Sequence, residues 1–230
     1  MRFVLTLSLM AANAFAAVPA QAGAKLNSLF TPDMLDVRVQ FLETITGPAR
    51  RAHQAGDGVE IREYVVDRCQ VTARVKDNSV RAYGLRLTKT CTADLSALVS
   101  RRLLVTPSTT IGSLTDAFGG AMAEEFYISC LGSCGNAADP TASYRWFGPH
   151  ALRFIKVEGT TVINDDRTIQ PWLRWADELR RREGEDYVLS GRFNCDPRYQ
   201  QAGLRLFRQA RLSQIVVGFD VADDPPECKR

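Results

Sequence analysis

Histidine is nearly absent from this chain: His53 and His150 are the only two among 230 residues. Lysine is scarce too, standing only at positions 25, 76, 89, 156 and 229, so the basic side of the balance is almost all arginine. Beyond residue 22 no apolar run approaches the ~18 residues of a membrane span, which leaves no candidate transmembrane helix there. No Gly-x-Ser-x-Gly elbow, phosphate loop, dinucleotide fingerprint or calcium loop occurs. Nothing therefore names a reaction, and no cofactor and no metal is expected. Basic residues are not interleaved with aromatics as in nucleic-acid binders, so no nucleic-acid partner is expected either. The first cysteine is Cys69, which excludes the lipoprotein pattern of a cysteine at a leader junction.

What is present begins with the leader. Met1-Arg2 is a short basic start, Phe3 to Ala17 is almost wholly apolar, and Ala20-Gln21-Ala22 is an A-x-A cleavage pattern. Ala14-Phe15-Ala16 is a second such pattern. This is the layout of a secretory signal peptide over residues 1–22. The remaining chain is expected to work outside the cytoplasm, in the periplasm or the medium. The formal charge of +3 selects no partner of either sign.

Six cysteines in an exported chain point to three disulfides. Spacing suggests Cys69 with Cys91 across a hairpin, Cys130 with Cys134 inside one loop, and Cys195 with Cys228 around the last helix and strand. A network in which Cys130 and Cys134 each reach elsewhere stays open.

Apolar spacing and turn residues order the rest. Thr31-Pro32-Asp33 opens a helix whose Leu35, Val39, Leu42, Ile45 and Ala49 share one face, ended or kinked by Gly47-Pro48. Strands follow from Val59, from Cys69 to Val75, and from Val80 to Leu87, with a phase shift near Tyr83-Gly84 that implies a bulge. Thr92-Ala93-Asp94-Leu95 opens a short helical stretch. Ile111 to Phe118 is a helix closed by Gly119-Gly120. Glu125 to Cys130, Thr141 to Phe147, and Ala151 to Val157 or beyond are strands. Asp165-Asp166 caps a helix lined by Ile169, Trp172, Leu173, Ala176 and Leu179. A helix over 198–211 and a strand over 213–221 complete the set.

The class is α+β with antiparallel sheets: two αβββ units, then two helices and a final strand, braced by disulfides. The units are expected at 23–100 and 101–221, with a tail at 222–230. A faint echo supports duplication, since Phe41 to Ala49 can be laid over Ser113 to Ala121 with Leu, Gly and Ala coinciding, and Thr-Pro precedes both. Tandem αβββ units in an exported, disulfide-bearing chain resemble the secreted β-lactamase inhibitory proteins. A single unit is similar to the small outer-membrane assembly lipoprotein SmpA. The resemblance covers roughly residues 31 to 163. It departs in lacking the Gly-Met-Thr/Ser start before the helix and the lipoprotein cysteine. It implies a binding protein and transfers no residue by position.

Candidate site residues are few. The loop Cys130 to Pro140 holds Asn136 and Asp139, which could offer amide and carboxylate groups to a ligand. Its Cys-x3-Cys spacing fits a staple better than a redox centre. Tyr144 and Trp146 lie two apart on one strand and share a face, as binding anchors do; packing under a helix is the competing reading. His150, at a turn, could contact a partner. The expectation is a protein-binding module, inhibitor- or immunity-like, that occludes an exported protein sterically and is not an enzyme. The alternatives are a cell-envelope hydrolase gathering Glu124, Asp139 and His150, and a structural envelope protein.

Overall fold

The computed structural model describes residues 24–99, 101–118, 123–131, 134 and 139–221. Ten strands occur there: β1 Arg51–Gly56, β2 Val59–Val66, β3 Cys69–Lys76, β4 Ser79–Arg86, β5 Ala93–Asp94, β6 Leu104–Val105, β7 Ala123–Ile128, β8 Thr141–Phe147, β9 Lys156–Val162 and β10 Gln214–Gly218. The helices are α1 Ala24–Leu29, α2 Val39–Thr46, α3 Ile111–Phe118, α4 Asp166–Glu183, α5 Glu185–Leu189 and α6 Pro197–Phe207. Eight strands form one sheet in the order β1-β2-β3-β4-β10-β9-β8-β7, while β5 and β6 pair separately. Every neighbouring pair is antiparallel. The fold is thus α+β and disulfide-braced.

The alternation in the strands decides the layers. In β3, Val71, Ala73 and Val75 are buried while Gln70 and Lys76 are exposed. The buried set joins Tyr64, Tyr83, Tyr144, Trp146, Ile215 and Val217 in one core with Leu42, Leu114, Trp175, Leu179 and Phe207 from the helices. The helices therefore cover one face of the sheet. Gly203 of α6 makes the contact close: a Cβ there would lie 2.6 Å from the Phe126 ring. The opposite face has only a small apolar cluster, Ala82, Val216 and Val221. It also holds the buried Arg145–Glu158 ion pair at 2.6 Å, with the Arg145 guanidinium 4.5 Å from the Tyr127 ring centre.

Several elements fall where spacing puts them. α3 and β8 match their expected ranges. The α4 N-terminus is a capping box between Asp165 and Thr168, which satisfies two otherwise unpaired backbone donors. The overlay that carries Phe41 onto Ser113 also carries α2 onto α3 end to end.

Other elements differ. The helix expected from Thr31 is interrupted: Pro32–Met34 is a single 3-10 turn and α2 starts only at Val39. The intervening backbone bonds to the β3–β4 hairpin instead, Asp36 N–H to Val80 C=O at 2.8 Å and Val80 N–H to Val37 C=O at 2.9 Å. Tertiary partners override helical spacing there. The bulge lies at Arg81, because Val75 faces Val80 and Arg74 faces Ala82. The stretch after Thr92 begins as β5, with a 3-10 turn only at Ser96–Leu98. The strand expected from Ala151 is a 3-10 turn at His150–Leu152, and β9 starts at Lys156. β1 adds a strand that spacing did not signal.

Cys69–Cys91 and Cys130–Cys134 are disulfides, as spacing suggested. The first ties the start of β3 to the chain leaving β4. The expected Cys195–Cys228 bridge involves Cys228, which lies outside the described residues. Among the described residues no helix is long and apolar enough to cross a membrane.

Candidate functional site

The sequence-derived candidates do not converge. Tyr144 and Trp146 do share a face, but it is the helix-covered one, and both are 0% exposed. Their rings contact each other edge-on at 4.4 Å, and Trp146 also meets Phe118 of α3 at 5.4 Å. This corrects the expectation that they face a partner: they pack in the core. Asn136 lies outside the described residues. Asp139 is exposed just before β8, and His150 is exposed just after it. A seven-residue strand such as β8 spans about 24 Å. Asp139 and His150 therefore belong to opposite ends of the sheet. Glu124 stands opposite Trp146 in the strand register. The acid–base cluster required of a hydrolase is not assembled by Asp139 and His150.

His150 does belong to a distinctive site, built where four local irregularities meet. The first is the β8–β9 connection. Gly148 N–H bonds to Ile155 C=O at 2.9 Å, which closes the loop over the fully buried Ile155. Inside it Arg153 and Phe154 both take positive φ, 55° and 57°. A bulky non-glycine residue in that left-handed region is strained. The pair makes a tight turn, with Ile155 N–H donating to Leu152 C=O at 3.0 Å, while the Phe154 side chain is 61% exposed, the most exposed large apolar side chain among the described residues. The His150 ring meets the Phe154 ring edge-on at 5.5 Å.

The second irregularity is the bulge at Arg81, which re-aims that side chain. The third is the chain leaving β10. Gly218 permits it to pass over the bulge, since a Cβ there would lie 2.2 Å from Arg81 C=O. Phe219 N–H then bonds to that carbonyl at 2.7 Å. The fourth is Asp36, at φ 63°.

Their side chains interlock. Two guanidiniums approach the Phe219 ring, Arg81 at 4.7 Å and Arg153 at 5.7 Å from its centre. Arg81 donates to Asp36 and, at 3.1 Å, to Asp220. Arg153 reaches Asp36 at 3.6 Å and donates to Pro32 C=O at 3.3 Å. Burial pulls the Arg81 pKa down, but the Asp220 hydrogen bond and the Asp36 and Asp220 charges outweigh it and raise the pKa. Arg81 therefore stays cationic. The network fixes the base on which Arg153 and Phe154 stand. Beside it is an open surface cavity of about 460 Å³ lined by Asp36, Lys76, Asp77, Ser79, Arg81 and Asp220.

This arrangement is suited to binding. Arg81 and Arg153 pair with Asp36, and Arg81 with Asp220 as well, and among the described residues no histidine bonds to Ser79. A second cavity, about 330 Å³, lies between the Cys130–Cys134 staple and the chain from Val188 to Asn194; its lining holds no side chain that titrates near neutrality. Among the described residues no group of three or more His, Cys, Asp or Glu side chains could hold a metal ion.

Sequence reasoning found His150 and missed Arg153, Phe154, Arg81 and Phe219. Arg153 and Phe154 read as strand residues, and no glycine or asparagine marks the left-handed pair. Compared with family models, with curated proteins and with solved structures, the chain matches none of them.

Proposed function

We propose that this chain is an exported protein-binding module, inhibitor- or immunity-like, that acts by steric occlusion with Phe154 as its anchor. The observation that carries the reading is the combination of strain and exposure at Phe154. A phenylalanine held in the left-handed region costs stability, and 61% of it faces solvent. Such a cost is expected where a side chain serves a partner. Exposed aromatics beside arginine are the groups that dominate binding energy at protein interfaces. The ion-pair network under Arg153 and Phe154 supplies pre-organisation, which lowers the entropic cost of docking. Disulfides fit an oxidising compartment, and the resemblance to secreted inhibitory proteins points the same way.

The partner is expected to present an apolar pocket rimmed by carboxylates, to receive Phe154 and the half-exposed Arg153. The test is capture of partner proteins from the envelope fraction and medium of the producing cells. Phe154→Ala is expected to weaken capture of a specific protein roughly 30-fold, about 2 kcal/mol. Phe41→Ala, which removes another exposed phenylalanine (52%) far along the chain, is expected to leave it unchanged. Equal capture by Phe154→Ala, or no protein held by the unaltered chain, would overturn the proposal.

A further inference from the structure

The two edges of the sheet are treated differently by the chain. At β7 the last residue of the outer edge is capped by a side chain. Asn194, 1% exposed, donates from Nδ2 to Ile128 C=O at 3.0 Å and accepts from Ile128 N–H at its Oδ1 at 3.0 Å. Its amide stands in for a neighbouring strand. At the other edge nothing comparable happens among the described residues. β1 pairs only with β2, and all six of its residues are exposed. Unpaired edge strands are templates for another strand, and proteins guard them with lysine, proline, bulges or covering elements. β1, Arg-Ala-His-Gln-Ala-Gly, has no lysine, no proline and no cover. Its guards are the charged Arg51 at one end and an irregularity between Gln54 and Gly56 at the hairpin end.

We infer that β1 is a self-association edge, through which two copies of this chain pair antiparallel about a two-fold axis. Charge placement selects this occupant. Arg50 and Arg51 stand at the start of β1, and Asp57 stands just past its end, in the turn to β2. All three are exposed, and none has a side-chain hydrogen bond or ion pair among the described residues. Antiparallel pairing brings the arginines of each copy to the Asp57 of the other, at both ends of the ladder. Parallel pairing would set arginine against arginine. Between the ends lie Ala52, His53, Gln54 and Ala55, with no Asp, Glu, Lys or Arg among them to oppose its own copy. Because each copy uses its β1 edge against the β1 edge of the other, the contact is isologous and stops at two copies. The ladder is short, so the contact belongs with weak, transient interfaces.

The test is sedimentation velocity on the purified protein from about 10 µM to about 1 mM, a range that covers weak dimers. Amide exchange of β1 is followed at both ends of the range. A monomer–dimer equilibrium is expected, with β1 amides more protected at high concentration. Arg50→Asp with Arg51→Asp is expected to weaken it at least tenfold, and adding Asp57→Lys to that pair to restore most of it. Far-UV circular dichroism checks that each variant is folded. A monomer throughout, a dimer indifferent to these charges, or β1 protection that another protein confers and concentration does not, would overturn the inference.

Discussion

Phe154 is the residue at which local stability and exposure conflict. Its φ of 57° is one that glycine adopts freely and phenylalanine does not. Phe154→Gly should therefore hold or raise stability, by up to about 1 kcal/mol, which is a few degrees in Tm for a chain of this size. Differential scanning calorimetry checks this. A clear loss of Tm would make Phe154 a packing residue. The sequence could not reveal this conflict, because backbone handedness is marked in sequence only when glycine or asparagine supplies it. Tyr144 and Trp146 show the converse. Their spacing of two placed them correctly on one face, but spacing is silent on whether a helix covers that face. The deciding partners, Phe118 and Phe126, come from distant segments.

At the scale of elements, legibility followed burial on one side. α3, β8 and the cap of α4 each combine apolar periodicity with a strong boundary signal, and each was readable. β1 has neither, since it is exposed on both faces and carries no alternation. The segment 35–38 has helical spacing, but Asp36 N–H and Val37 C=O bond to Val80 of the β3–β4 hairpin. The cap on the last residue of the β7 edge depends on one side chain. Asn194→Ala leaves the N–H and C=O of Ile128 without their buried partner, at about 1–3 kcal/mol for each group lost. Urea denaturation is expected to show a lower midpoint with an unchanged slope. An unchanged midpoint would mean that the edge is satisfied in another way.

Across the whole molecule, β10 is the strand that joins the two meanders. It lies between β4 and β9, so the last strand among the described residues completes a sheet begun by the first. The sequence showed a helix and strands on each side of the faint echo, but not that the closing strand enters the middle. That placement also builds the candidate site. The chain leaving β10 crosses the Arg81 bulge, sets Phe219 against two arginines, and fixes the base beneath Arg153 and Phe154. The site thus forms only when both meanders and β10 are together. Its proposed role is most directly tested by placing a photo-crosslinking amino acid at position 154, and separately at position 41, in the cells that make the protein. The account expects one discrete protein adduct from position 154 and none of that mass from position 41. No adduct at 154, or the same adducts from both positions, would contradict it.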